Sequence, residues 1–192
     1  LSSKILISEN IIEIESIARK LLILNEKRKL IEKKIFEEAI EQAIKQKNKK
    51  IIIVKGEQWH KGVLGIIASR LVERFNKPAI VISYNKDEGV GSARSLNFID
   101  LGHIIIYAKE KGLLLDGGGH KMAAGLKISM QKYNDFLKFI VDILKNFDSS
   151  FFKRTLYFDS ILTLDEINLD FLENIEKLQP CGISNPDPKF II

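Results

Sequence analysis

The sequence predicts an α/β fold: a mixed sheet with flanking helices, preceded by a long helical linker. Short apolar runs over 51–54 and 79–83 have the length of buried strands, and apolar residues recur at helical spacing over 63–75, between them. A strand, a helix and a second strand in this order form a βαβ unit, which implies parallel strands and a right-handed crossover. Residues 1–50 show helical spacing of apolar residues, which predicts the linker.

Two helices are predicted within the linker. The first covers 9–24, where apolar residues fall on one face. The second begins at Asn25, which is expected to cap it because an Asn side chain accepts hydrogen bonds from the free N–H groups of a first turn. Its apolar stripe follows i, i+4 spacing and consists of Ile31, Ile35, Ala39 and Ala43.

The remaining elements alternate between strands and helices. They are a strand over 90–94, a helix from Asp100 to Lys111, a glycine loop, a strand near 125–129, a helix over 131–147, a strand over 155–163 and a helix over 168–177. Pro180, Pro186 and Pro188 then predict irregular chain.

Three consecutive glycines lie in the segment 116–125, which reads DGGGHKMAAG. Gly117, Gly118 and Gly119 bring no side chain to a core and raise the entropic cost of any regular element. Their bare N–H groups allow a phosphate to approach closely, and His120 can donate a hydrogen bond to the same ligand. A mobile turn with a surface histidine is the alternative, and the triplet alone leaves both interpretations open.

Ser92 and Arg94 lie two residues apart in a predicted strand, so their side chains share one face. A hydroxyl and a guanidinium together suit a phosphate, since arginine presents a rigid fork of N–H donors. From spacing alone, a solvated arginine at a strand end is the favoured alternative.

Trp59 and His60 precede the helix predicted over 63–75. The free N–H groups and partial positive charge of a helix N-terminus can attract an anion to this loop. The structural alternative is that Trp59 fills the edge of a core, which is favoured for so large an apolar side chain, and that His60 caps the helix.

Together these segments resemble the RecJ family, single-strand-specific 5′ to 3′ exonucleases of the DHH phosphoesterase superfamily. The resemblance rests on WHKGVLGIIASRLVERFNKPAIVIS (59–83), GSARS (91–95) and DGGGHKMAAG (116–125), whose order and spacing fit the family's DHH-associated domain. LNEKR (24–28) is similar to the start of the family's linker helix. The segment 178–188 resembles the family's entry into an OB-type domain.

The resemblance implies three regions. They are a helical interdomain linker over 1–50, a DHH-associated substrate-binding α/β domain over 51–148, and a connector with the start of an OB-type domain over 149–192. The last region departs from the family pattern, because Cys181 and Ser184 stand where an aromatic residue and a glycine are expected.

The resemblance also implies a set of residues that contact phosphate or nucleic acid. The set consists of Ser92, Arg94, Gly117, Gly118, Gly119, His120, Arg28 and His60. Ser92 and Arg94 would hold the 5′-terminal phosphate, and the glycines with His120 would line the neighbouring wall of the active site. Arg28 would contact the nucleic-acid backbone from the linker helix.

Metal ligands are not expected in this chain. Phosphoester hydrolysis by two metal ions needs converging carboxylates and imidazoles, whereas His60, His103 and His120 lie far apart and no Asp-His-His or Asp-x-Asp occurs. In the family, Mn²⁺ or Mg²⁺ is bound by an N-terminal catalytic domain. We therefore expect an internal fragment of a metal-dependent exodeoxyribonuclease that binds no metal, carries no catalytic residue and is inactive alone.

Composition and charge agree with a nucleic-acid partner. Residues 1–128 carry a net charge of +8 and residues 129–192 carry −3, so basic charge accompanies the linker and the glycine segment. The single cysteine excludes an internal disulfide, and no apolar run approaches the ~20 residues of a membrane span. We expect a soluble cytoplasmic protein that acts in DNA repair and recombination and binds single-stranded DNA, with single-strand-binding protein or a helicase as candidate partners and no membrane contact.

Two other classes of function stay open at this point. A smaller DHH-family phosphodiesterase for oligoribonucleotides or cyclic dinucleotides would share the GGGH motif, but it should lack the long linker helix and the Pro-Cys-Gly segment. A non-enzymatic module that binds nucleic acid or protein is the other alternative. An Asp-His-His motif encoded upstream would decide the class.

Overall fold

The computed structural model describes residues 2–182 and 184–192; Ile183, within the segment likened to an OB-type entry, lies outside the described residues. The chain divides into two compact units, Leu1–Lys153 and Arg154–Ile192. The first unit confirms the predicted α/β fold, with a five-stranded mixed sheet and flanking helices behind a long N-terminal helix. The three-region division remains a prediction.

A single long helix leads into the sheet. After a short helix α1 (Ser2–Ile7), α2 runs without a break over Ile11–Ile44. Asn10 caps it, because its Oδ1 accepts hydrogen bonds from the N–H groups of Ile12 at 3.1 Å and Glu13 at 3.3 Å. The N-terminal half of α2 extends the helix well beyond the part that packs on the sheet.

The expectation of two linker helices, with Asn25 as a cap, is wrong. Asn25 lies inside α2, and its Oδ1 accepts a hydrogen bond from Arg28 Nε at 3.2 Å. No Gly or Pro interrupts α2, and an interior Asn costs only a few tenths of a kcal/mol, roughly, relative to better helix formers. The predicted stripe is buried at Ile35, Ala39 and Ala43, whereas Ile31 is exposed.

The five-stranded sheet has the order β1-β2-β3-β5-β4. Its strands are β1 (Ile52–Glu57), β2 (Ala79–Asn85), β3 (Glu88–Arg94), β4 (Asp116–His120) and β5 (Ala123–Ser129). β1 and β2 are parallel and are joined through α3 (Leu64–Phe75), which confirms the parallel βαβ unit. All other neighbouring pairs are antiparallel, and β4 is an edge strand.

Two cores form on the two faces of the sheet, because alternate side chains of a strand point to opposite faces. One face packs on α4 (Leu101–Glu110) and α5 (Tyr133–Lys145) and buries residues from β1, β2, β3 and β5, among them Ile82, Ala93 and Leu126. The other face packs on α2 and α3, but the strand residues that this second core buries come from β1 and β2 alone. The outward half of that face is therefore left without a covering helix core.

The glycine triplet departs most from the prediction. The sequence predicts a loop at Gly117, Gly118 and Gly119, but these residues form the middle of β4 and pair with β5 at Leu126, Gly125 and Ala124. Glycine is tolerated there because the partner strand offers small residues at two of these three positions and the backbones approach closely.

The second unit is small and largely exposed. The strand expected over 155–163 is reduced to β6 (Ser160–Ile161), which pairs in parallel with β7 (Phe190–Ile191). Between them in the chain lies α6 (Leu169–Glu176), close to the predicted 168–177 helix. The rings of Phe171 and Phe190 meet edge-on, with their centroids 5.3 Å apart. Whether this unit begins an OB-type domain remains a prediction.

The assignment of Asn10, and not Asn25, as the cap of α2 can be tested with two matched variants. Replacement Asn10→Ala removes the acceptor for two first-turn N–H groups and should cost about 1 kcal/mol of local stability. We expect hydrogen exchange of the amides over 12–17 to accelerate roughly fivefold, since exchange there follows local opening. The matched variant Asn25→Ala should leave the rates over 12–17 unchanged and should not accelerate those of residues 26–30, because Ala is the better helix former inside α2. Faster exchange over 26–30 in Asn25→Ala would instead restore the two-helix interpretation.

Candidate nucleic-acid interface

The strand register brings four of the predicted residues onto one face. Arg94 lies opposite Ala123, which lies opposite His120, and the next row on the same face is Ser92, Gly125 and Gly118. Directly opposed residues of antiparallel strands point to the same side of the sheet. Ser92, Arg94, Gly118 and His120 therefore share the half of this face that the α2–α3 core does not bury, with Ser92 and Arg94 at its border beside the first turn of α3. We call this half the open face.

Arg94 is held in place by its own strand. Its Nη1 donates hydrogen bonds to Ser92 Oγ at 3.2 Å and to the Ala93 carbonyl at 2.9 Å. The guanidinium also lies against the first turn of α3, where a Cβ added to Gly65 would stand 2.8 Å from Arg94 Nη2. Across the ranges 2–182 and 184–192 no carboxylate pairs with Arg94, so its charge is available to an anion.

The three glycines of β4 have different surroundings. A Cβ on Gly117 would stand 2.8 Å from Ile105 Cγ2, and one on Gly119 would stand 2.4 Å from the Ala123 carbonyl oxygen. These two glycines are required by packing. A Cβ on Gly118 would have nothing within 4 Å, so Gly118 exposes bare backbone on the open face.

His120 ends β4 with an exposed side chain. Its backbone is clamped by the start of α4, since a Cβ on Gly102 would be 2.6 Å from the His120 carbonyl oxygen. The Leu101 N–H also donates to the Lys121 carbonyl at 3.2 Å. The imidazole is thus exposed to solvent, while its Cα is anchored beside the open face.

His60 and Trp59 have structural roles. The His60 Nδ1 accepts a hydrogen bond from the Gly62 N–H at 3.1 Å and so caps a 3₁₀ turn, Lys61–Val63, ahead of α3. Trp59 is buried, as the structural interpretation predicts, and its Nε1 donates to Glu38 Oε2 at 2.8 Å. Its ring lies on Gly56, where a Cβ would come within 1.9 Å of the indole.

Arg28 pairs with a carboxylate of its own helix. Its Nη1 lies 2.8 Å from Oε2 of Glu32, whose side chain is only 3% exposed, and Arg70 Nη2 of α3 lies 2.8 Å from the other oxygen, Oε1. Two half-exposed guanidiniums thus compensate one buried carboxylate and join α2 to α3. Sequence reasoning missed this cluster; the i, i+4 spacing of Arg28 and Glu32 was the available signal.

Sequence reasoning also missed Gly125, Lys127 and Asp116 as members of the open face. Lys127 lies opposite Asp116 in the row after Gly125 and Gly118. A hydrogen bond from Lys109 Nζ, and next one from the Gly117 N–H, hold the pKa of Asp116 below its ordinary value. Asp116 is thereby paired with Lys109 of α4 at the end of the edge strand.

Within the part of the chain that the structure describes, no group of three or more His, Cys, Asp or Glu side chains is placed to hold a metal ion. No described helix is both long enough and apolar enough to cross a bilayer.

Comparison with known proteins assigns the sheet and the helices around it to a known domain family. The DHHA1 domain model matches residues 48–146, which include the sheet, α3, α4 and α5. The chain belongs to the DHHA1 domain family.

Within that family the chain is RecJ-like over nearly its whole length. It is 31% identical over 192 residues to the single-stranded-DNA-specific exonuclease RecJ of Bacillus subtilis, covering 98% of this chain and 24% of that protein. It is 29% identical over 195 residues to the RecJ of Escherichia coli, covering 97% of this chain and 34% of that protein. The chain therefore spans about a quarter to a third of the length of these relatives.

Solved structures show the same similarity. RecJ of Thermus thermophilus in complex with Mg²⁺ superposes with a TM-score of 0.85 at 25% identity, covering 96% of this chain and 28% of that one. A RecJ exonuclease bound to manganese gives 0.65 at 27% identity, covering 76% of this chain and 36% of that one.

Two glycines of one triplet provide a matched test of the site. Gly119→Ala forces a Cβ into the β5 backbone and should lower the free energy of unfolding by about 1–3 kcal/mol. Gly118→Ala points into open space and should change that free energy by less than about 0.5 kcal/mol. Gly118→Ala should nevertheless weaken binding of single-stranded DNA, because its methyl group stands on the open face. Urea unfolding and fluorescence anisotropy measure the two effects. Equal destabilisation by both variants would contradict the assigned surroundings.

Proposed function

We propose that this chain is the substrate-binding portion of a 5′ to 3′ single-stranded-DNA exonuclease that acts in DNA repair and recombination in the cytoplasm. The observation that carries the proposal is the pair of Ser92 and Arg94 on the open face, without a protein carboxylate to neutralise the guanidinium among the described residues. The relatives' name, single-stranded-DNA-specific exonuclease, supports the substrate class.

In this proposal Ser92 and Arg94 hold the 5′-terminal phosphate. The Ser92 hydroxyl oxygen already accepts a hydrogen bond from Arg94, which leaves its O–H free to donate to the phosphate. The Ala93 carbonyl holds Nη1, so the remaining guanidinium N–H groups are oriented before the ligand arrives. Such preorganisation lowers the entropy lost on binding.

The open face then places the terminal nucleotide for reaction. Gly118 allows the phosphodiester to approach the backbone, and His120 donates a hydrogen bond from the edge of the strand. These groups supply positioning and charge stabilisation, which are large contributions in phosphoryl chemistry.

Divalent metal belongs to another part of the parent protein in this proposal. The solved RecJ structures were obtained with Mg²⁺ or Mn²⁺, but the described side chains of this chain form no fitting ligand cluster. We therefore assign metal binding and water activation to a catalytic domain outside these 192 residues. Interactions with single-strand-binding protein or a helicase remain predictions.

The central test is Arg94→Ala in the full-length protein. Loss of a bidentate, charge-assisted contact of about 1.5–3 kcal/mol should lower kcat/KM roughly 10–150-fold on 5′-phosphorylated DNA. DNA with a 5′-hydroxyl should be affected much less, because it never makes the contact. Arg94→Lys should recover only part of the loss, since a point charge lacks the fork. The measurement is the ratio of kcat/KM for the two substrates. An unchanged ratio would remove Arg94 from the terminal-phosphate site.

A second test concerns catalytic independence. The 192-residue chain, incubated with labelled single-stranded DNA and Mn²⁺ or Mg²⁺, is expected to release no mononucleotides. The full-length protein at the same concentration is the positive control. Metal-dependent release by the pure chain would place catalytic groups within it and would overturn the assignment of metal binding to another domain.

A further inference from the structure

The open face leads from Arg94 into a polar cavity. On β3 the residues of this face that follow Arg94 and Ser92 are Val90 and Glu88. Val90 lies opposite Ser83 on one side and Lys127 on the other. Val90, Ser83 and Lys127 line a cavity of about 830 Å³, together with Lys61 and Lys86. Arg94 and Val90 are four positions apart along the strand, which corresponds to about 13 Å.

Bare backbone connects the two ends of this path. Between the Arg94 row and the Lys127 row lie Gly125 and Gly118, side by side on neighbouring strands. A Cβ added to either would meet no heavy atom within 4 Å, so neither the sheet nor a helix obstructs the space above them. A ligand bound at Arg94 can therefore continue across the glycines to the cavity.

The cavity has an excess of cationic groups. Three lysines and two carboxylates line it, and one pair is neutralised because Lys127 Nζ lies 2.8 Å from Glu88 Oε2. Lys61 and Lys86 have no carboxylate within 4.0 Å among the residues with described positions. Both are exposed and can reach an anion.

We propose that this cavity is a second phosphate subsite, in which Lys61 and Lys86 hold an internal phosphate of the single-stranded DNA whose 5′ end lies at Arg94. The proposal rests on the proposed function, because Arg94 sets the origin of the path. A stacked strand advances about 3.4 Å per nucleotide, so about 13 Å corresponds to roughly four stacked nucleotides, and to fewer if the strand is stretched. The subsite would thus engage oligonucleotides of several residues and would miss a dinucleotide.

The test compares two 5′-phosphorylated oligothymidylates, a dinucleotide and an octanucleotide, titrated into the chain and followed by amide chemical shifts and their salt dependence. The double variant Lys61→Gln, Lys86→Gln should weaken binding of the octanucleotide roughly three- to tenfold, as expected for two exposed ion pairs. Its log–log salt slope should become less steep by about 0.7, the value for one phosphate fewer on a single strand. Binding of the dinucleotide should not change.

A matched control removes the same charge elsewhere. Lys111 and Lys138 lie at the end of α4 and on α5, the helices that cover the opposite face. The variant Lys111→Gln, Lys138→Gln should leave the affinity for the octanucleotide within twofold of the unmodified chain. A loss equal to that of Lys61→Gln, Lys86→Gln would show that net charge alone is responsible, and the subsite would be rejected.

Arg94→Ala separates failure of the subsite from failure of the proposed function. If it weakens both oligonucleotides while Lys61→Gln, Lys86→Gln affects both equally or neither, the terminal-phosphate site stands and the second subsite is wrong. If Arg94→Ala changes neither affinity, the proposed function fails, and the subsite measured from Arg94 fails with it. Selective loss for the octanucleotide in the lysine variant, with loss for both in Arg94→Ala, supports the subsite.

Discussion

Helices cover the two faces of the five-stranded sheet unequally, and the position of the candidate site depends on this difference. Neighbouring residues of a buried strand point to opposite faces, so Ile80 packs against α4 and α5 while Val81 packs against α2 and α3. Burial of such a side chain contributes about 1.5–3 kcal/mol, which makes the two-sided region the stable base of the fold. The helix layer formed by α2 and α3 ends beside β3, where the first turn of α3 lies next to Arg94. Stability therefore comes from one half of the sheet and leaves the other half accessible.

The boundary between the covered and open halves is where Arg94 lies. Gly65 in the first turn of α3 leaves space for the guanidinium, and α3 is joined to the long helix by Arg70 and Glu32. Glu32 is almost fully buried, so loss of either guanidinium partner would leave a poorly compensated charge. One contiguous set of contacts thus runs from α2, through α3, to the proposed terminal-phosphate site.

Glycine serves three purposes in a single edge strand. Gly117 and Gly119 allow the strand to lie close to Ile105 and to the β5 backbone, whereas Gly118 leaves the surface bare. The three glycines form one motif in the sequence, but two of them are needed for packing and the third leaves the surface accessible to a ligand. In the proposed function this arrangement lets a charged polymer approach the sheet without a flexible loop, which would lose conformational entropy on binding.

Much of this organisation was accessible from the sequence. Two short apolar runs, with apolar residues at helical spacing between them, predicted the parallel βαβ unit. The alternation of side chains along a strand predicted that Ser92 and Arg94 share one face. These features depend on residues close together in the chain. The sequence likewise carried the RecJ resemblance, because its motifs are contiguous segments.

Only the tertiary structure decided the continuous α2, the strand conformation of the glycine triplet, the proximity of Lys127 to Gly118, and the pairing of Arg28 and Arg70 with Glu32. The glycine conformation depends on pairing with β5, since isolated glycines favour no single backbone state. The position of Lys127 depends on strand register, in which a shift of one residue would move every side chain to the other face. The Glu32 cluster depends on how α2 packs on α3. Local sequence patterns determine the elements, but contacts between elements depend on packing that no short segment encodes.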